Sequence, residues 1–193
     1  MEIDTILSIF LGIALAASVG FRIFVPFFVL SLASHFQIIP LNENWQWVSS
    51  EIAMITLGIA TVAEILAYLI PWVDNILDTI AIPLAAIAGT AIMLSTVANF
   101  DPFFTWILAI IAGGGTATAI KSSTSTTRLA STATTAGLAN PVVSTIESGT
   151  SVLLSLMAIF IPVIAVVFVV FIFWMIYKLY KKIIPKRKIK NQN

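Results

Sequence analysis

The chain has 193 residues, of which 59% are hydrophobic and 10% charged, with a mean hydropathy of +1.04. Soluble domains carry about a quarter charged residues, so this composition excludes an ordinary soluble globule and points to an integral membrane protein. The formal net charge is +1 and cysteine is absent, which excludes disulfides, thiolate catalysis and zinc–sulfur sites.

About 20 apolar residues cross a bilayer as a helix. Residues 3–36 are too long for one simple span. Gly20, Arg22 and Pro26 interrupt them, which predicts a kinked helix or two half-segments. Residues 37–50 hold Pro40, Asn42, Glu43, Trp45 and Trp47 and read as an interfacial loop. A second span is expected over 52–70, with Glu64 inside it. Pro71 opens a turn, and a third span over 73–98 begins with Asp74 and Asp78. Asn99, Asp101 and Pro102 predict a tight turn before a fourth span over 103–120. The stretch 113–148 is then rich in small and hydroxyl residues, carries Lys121, Arg128 and Glu147, and is broken at Asn140-Pro141. A last span over 150–180 ends in Trp174, Tyr177 and Tyr180, an interfacial belt.

These elements predict an all-α, polytopic transmembrane helical bundle of five to six spans with broken or kinked helices. It forms one domain over 1–180, followed by a basic tail at 181–193. Alternating ten-residue strands, which a barrel needs, are absent. Seven of the ten basic residues crowd the end of the chain: Lys178, Lys181, Lys182, Lys186, Arg187, Lys188 and Lys190. By the positive-inside rule they place the C-terminus in the cytoplasm, as a topology anchor rather than a nucleic-acid site. Five spans then put the N-terminus outside, and a sixth reverses it. Glu2 and Asp4 precede the first apolar run and argue against a cleaved signal peptide. The segments IFLGIALAASVGFR, ending at Arg22, and ILAIIAGGGTATAIK, ending at Lys121, are both apolar, small-rich helices reaching a cation. An inverted repeat with halves 1–98 and 99–180 is one reading, and chance similarity of apolar sequence is the other.

Charges inside apolar spans are costly and mark functional sites by default. Arg22 is read either as an ion pair with Glu64 or Asp78 that locks the bundle, or as an anion site, because the guanidinium fork matches oxyanions. Glu64, with Tyr68 one turn on, is read as a coupling group or a static salt bridge. Asp74 and Asp78 share a helix face. They suit a helix start by the dipole, or a hard cation. Lys121, Ser125 and Arg128 also share a face, giving an anion path or, alternatively, an interfacial helix that meets lipid phosphates. Asn140-Pro141 with Ser144, Thr145 and Glu147 can coordinate an ion through freed backbone groups, or form a turn capped by Ser144 or Thr145. His35 stands alone, so no transition-metal site is expected, and no cofactor. No nucleophile sits with its base, so no enzyme activity is expected.

The pieces GFRIFVP at 20–26, AEILAYLIPWVDNILDTIAIP at 63–83, AGGGTATAIKSSTSTTR at 112–128 and GLANPVVSTIES at 137–148 resemble a family of bacterial integral membrane proteins known as domain of unknown function 4126. The resemblance covers most of the chain before the final helix. It implies a shared membrane fold in a bacterial cytoplasmic membrane and supplies no activity. The chain departs from the family pattern at Tyr68-Leu69, where an acid and a lysine are usual, before Lys121, where a histidine is frequent, and at Ser148, where an acid is usual.

The expected function is a small membrane transporter, or a lipid-headgroup flippase, for an anionic substrate, with proton or cation coupling. Arg22, Lys121, Arg128, Ser125 and Asn140 would bind the substrate. Glu64, Asp74, Asp78 and Glu147 would couple or exchange ion pairs. Membrane lipids and the substrate are the expected partners, nucleic acid is not, and a homo-oligomer is admitted. The alternatives are an oligomeric ion channel lined by the Ser/Thr stretch and a non-transporting membrane scaffold.

Overall fold

A computed structural model describes residues 2–97 and 101–183. Among them all regular structure is helical: α1 (Glu2–Phe21), α2 (Phe24–His35), a 3-10 helix (Glu43–Ser49), α3 (Glu51–Ala67), α4 (Pro71–Thr96), α5 (Pro102–Leu108), a π-helical turn (Ala109–Gly114), α6 (Gly115–Thr135), α7 (Asn140–Phe160) and α8 (Pro162–Ile183). The segments Asp4–Phe21, Ile76–Thr96, Pro102–Thr135 and Asn140–Phe160 are long and apolar enough to cross a membrane. The 3-10 helix and α3, bent by 67°, bring the number of candidate spans up to five. The protein is therefore an all-α bundle at the lower edge of the expected span count.

α1 is the central element. It packs on α4, α6, α7 and α8, and Ala14, Leu15, Ala16, Ala17, Ser18 and Val19 are wholly buried. Small side chains let neighbouring backbones approach closely, which is how helices associate without a hydrophobic driving force in lipid. Serines seal the seam with α7. The Ser18 hydroxyl donates to the Ser151 carbonyl at 2.8 Å and lies 2.6 Å from the Ser155 hydroxyl, while Ser151 donates back to the Ser18 carbonyl at 3.1 Å. Between α4 and the π-helical turn the contact is glycine on glycine, Gly89 against Gly113.

Three sequence expectations change. The span over 103–120 and the start of the hydroxyl-rich stretch are one 34-residue helical column, Pro102–Thr135. It survives its Ser/Thr content because the hydroxyls bond to their own helix: Thr118 to the Gly114 carbonyl (2.7 Å), Thr126 to Ser122 (2.7 Å) and Thr135 to Ser131 (2.8 Å). The column ends where Ala136 and Gly137 enter the left-handed region, at φ 52° and 85°. The last span, expected over 150–180, divides at Ile161-Pro162 into α7 and α8, because proline offers no N–H and disfavours helix in the residue before it. The loop expected over 37–50 contains the 3-10 helix, in which Trp45 and Trp47 stack at 6.1 Å. Ala98, Asn99 and tail residues Lys186, Arg187, Lys188 and Lys190 lie outside the described residues.

A Cβ at Gly113 would stand 2.4 Å from the Gly89 carbonyl oxygen, whereas one at Gly115 meets nothing within 4 Å. Gly113→Ala is expected to lower stability in detergent by about 1–3 kcal/mol. Gly115→Ala should be neutral or stabilising by up to about 1 kcal/mol. Thermal unfolding of the two variants side by side checks the contrast.

Candidate functional site

Outside the C-terminal cluster the chain has only three basic residues, Arg22, Lys121 and Arg128. All three are buried, at 1%, 2% and 1% exposure. Arg22 follows the last residue of α1, and the other two stand seven apart on the inner face of α6. They converge on the ring of Tyr68, the residue that ends α3. The centroid lies 4.1 Å from Arg22 Cζ, 4.8 Å from Lys121 Nζ and 4.7 Å from Arg128 Cζ. The face of an aromatic ring is electron-rich and attracts cations, most strongly where water is excluded. The Tyr68 hydroxyl in turn accepts a hydrogen bond from Lys121 Nζ at 3.2 Å.

Three carboxylates close the network. Lys121 Nζ is 3.2 Å from Asp78 Oδ1. Arg128 reaches all of them: its Nε is 3.2 Å from Asp78 Oδ2, its Nη1 3.5 Å from Asp74 Oδ2, and its Nη2 contacts Glu147 Oε2. Arg22 Nη1 is 3.3 Å from the same Glu147 oxygen. Arg22 also donates to the Ser144 carbonyl (3.0 Å), the Ser144 hydroxyl (2.6 Å) and the Ser148 hydroxyl (3.0 Å). Its partner is therefore Glu147, not Glu64 or Asp78 as the sequence suggested. One carboxylate oxygen, Glu147 Oε2, is shared by two guanidinium groups.

The remaining predicted residues take distinct places. Asp74 and Asp78, one helical turn apart near the start of α4, both belong to the network. Asn140 opens α7 and donates from Nδ2 to Asp74 Oδ2 (3.0 Å) and Thr132 Oγ1 (3.0 Å). It does not end α6, and neither Ser144 nor Thr145 caps α7. Ser125 is buried on the Lys121–Arg128 face, and its hydroxyl has no hydrogen-bond partner. Glu64 has a different task. It accepts hydrogen bonds from the backbone N–H groups of Ile23 (2.8 Å) and Phe24 (2.9 Å), which the break between α1 and α2 leaves free. Several buried oxygens in the cluster also lack a hydrogen-bond partner: Asp74 Oδ1, Asn140 Oδ1 and Glu147 Oε1.

Glu147 borders a cavity as well. α8 packs on α1 and α7 but not closely on α6. The gap between α6, α7 and α8 is a cavity of about 360 Å³ whose wall includes Glu147, Ser123, Thr124, Thr127, Thr150 and Phe171.

The model of the family described as domain of unknown function 4126 matches residues 9–182. The chain belongs to this family. The match takes in every residue of the charged network. No curated protein and no solved structure matches the chain.

Sequence reasoning did not assign the Tyr68 ring its place, because three cations meet on it from two other helices. It also missed Ser144 and Ser148 as ligands of Arg22, and Thr132. The available signal was spacing: Ser144, Glu147 and Ser148 share one α7 face, and Thr132 lies one turn beyond Arg128.

Tyr68→Phe keeps the ring and removes only the hydroxyl bonded to Lys121, an expected cost of about 0.5–1.5 kcal/mol. Tyr68→Leu removes the surface on which three cations rest and should cost about 2 kcal/mol or more. Denaturant titration of both variants in detergent measures the difference.

Proposed function

We propose that the protein is a small membrane transporter, or a flippase of lipid headgroups, for an anionic substrate, with proton or cation coupling. The observation that carries this reading is the double position of Glu147. Its Oε2 lies between the guanidiniums of Arg22 and Arg128, where a substrate oxyanion would sit, and the same side chain walls a cavity between helices. Glu147 acts as a tethered anion. When it is protonated or drawn aside, two guanidinium forks become available to a carboxylate or phosphate, which they match in shape.

The distribution of partners supports motion between two halves. Arg22, Asp74 and Asp78 come from residues 1–98, and Lys121, Arg128 and Glu147 from 99–180. The pairs Arg22–Glu147, Lys121–Asp78 and Arg128–Asp74 all cross between them. Ion pairs at such a seam can change partners as the halves move, which is the behaviour expected of inverted repeats with a central site. Glu64 ties the α1–α2 break, and hence Arg22, to α3. The basic end of the chain supports a reading in which the C-terminus lies on the cytoplasmic side, in keeping with the bacterial membrane location proposed for the chain.

A second reading, a non-transporting scaffold, is favoured by one observation: each of the three cations already has a carboxylate partner. Reconstitution separates the two. Liposomes carrying the protein are tested for inorganic phosphate uptake and for transbilayer movement of fluorescent phosphatidylglycerol. The transporter reading expects activity that falls at least about tenfold in the Arg22→Ala, Lys121→Ala double variant and only in part in Arg22→Lys, where charge stays but the fork is lost. Glu147→Gln should keep flux while losing its response to an imposed pH gradient. Full activity in the double variant would remove the assignment, and inactivity of the wild type towards both probes would favour the scaffold.

A further inference from the structure

The α8 wall of the cavity between α6, α7 and α8 is apolar, built by Phe168, Phe171, Ile172 and Met175. Phe171 and Met175 are 51% and 45% exposed, and α8 does not pack closely on α6, so in a bilayer the cavity is open to lipid. The hydroxyls on the opposite wall offer nothing to an anion. Each spends its hydrogen on its own helix: Ser123 on the Ala119 carbonyl (3.0 Å), Thr124 on Lys121 (3.0 Å), Thr127 on Ser123 (3.0 Å) and Thr150 on Ile146 (2.8 Å). A hydroxyl has one hydrogen, so none is left to donate. Glu147 is the one ionisable residue among the described residues lining the cavity, and Arg22 and Arg128 balance its charge. The cavity is therefore neutral and without donors. The charged network stands directly behind this wall. Phe21, Ile120 and Thr127 line the cavity, and the residues that follow them are Arg22, Lys121 and Arg128. Glu147 belongs to both the wall and the network.

We propose that the anion taken by Arg22 and Arg128 is the phosphate of a phospholipid, and that one acyl chain of the same molecule lies in this cavity. The inference rests on the anion reading of the Glu147 position and narrows it from any oxyanion to a lipid one. Desolvation decides between the two sources. A free phosphate entering through the cavity would give up its hydration and meet no donor before the guanidiniums, and an ion without partners is costly in apolar surroundings. An acyl chain entering from the bilayer exchanges one apolar environment for another and loses no hydration. The volume of about 360 Å³ lies at the lower end of small-molecule sites, which span about 300–1,000 Å³. That suits a single chain and leaves the second in the bilayer. With the chain seated, the phosphate is held beside Glu147, and the two guanidinium forks receive it when that carboxylate moves aside.

The test uses the full chain in liposomes, with inorganic phosphate and fluorescent phosphatidylglycerol as the two probes. The expected result is transbilayer movement of phosphatidylglycerol without phosphate uptake. That movement should fall about tenfold in the Thr150→Phe, Met175→Trp variant, which fills the cavity and leaves every ion pair in place. Ala130→Phe adds bulk to an exposed position of α6 outside the cavity and should leave the movement unchanged. Phe171→Gln sets an amide in the path of the chain at a half-exposed position and should lower the movement about threefold or more, so it carries the test if the filled variant does not fold. Phosphate uptake, or lipid movement untouched by the filled cavity and by Phe171→Gln, would overturn this inference and leave the anion reading standing. Inactivity of the wild type towards both probes would remove the anion reading and this inference with it.

Discussion

Placing three cations inside an apolar bundle obliges the chain to deliver every counter-charge to the same point. A buried charge without a partner is strongly destabilising, whereas a paired and hydrogen-bonded one is tolerated. Arg22, Lys121 and Arg128 therefore govern where the other elements end. α3 stops at Tyr68 so that its ring underlies the three cations, and Ser144 fixes that end by donating to the Tyr68 carbonyl at 2.9 Å. α4 starts close enough to bring Asp74 and Asp78 to Arg128, and α7 starts at Asn140, beside Asp74. Helix ends supply what helix middles cannot. The α1–α2 break exposes two N–H donors, and Glu64 takes both, so a fourth carboxylate is held without a cation of its own.

Close packing is the second requirement, because networks built from short side chains work only if the backbones are near. Gly89 meets Gly113, Ser18 meets Ser151 and Ser155, and alanines line the inner face of α1. The hydroxyl-rich α6 belongs to the same economy. Its outer Ser and Thr side chains satisfy themselves on their own carbonyls, so a helix of low apolarity can stand against lipid while its cations turn inward.

Much of this was legible from the residues. Helix breaks near Arg22, at Pro71 and at Asn140-Pro141 follow from local chemistry, and the charged residues of the apolar region were the ones singled out. The pairing was not legible. Depth and sign point Arg22 to Glu64 or Asp78, and only the packing of α1 on α7 brings it to Glu147. The continuity of 102–135 was hidden because a Ser/Thr run scores as loop or helix until each hydroxyl has found a carbonyl. The division of the last span at Ile161-Pro162 was visible as a proline, but the surrounding apolarity masked it. The cavity beside Glu147 depends on α8 standing off α6, which no local pattern encodes.

The transport proposal rests on Glu147 being at once the shared partner of two arginines and part of a cavity wall. The most direct measurement is a pair of cryo-electron microscopy maps of the protein in lipid nanodiscs, one without added anion and one in high phosphate at acidic pH. The account predicts that in the second map Glu147 has left the gap between Arg22 and Arg128 and that a phosphate-sized density occupies it. Glu147 unmoved between the two guanidiniums in both maps, with no density beside them, would contradict it.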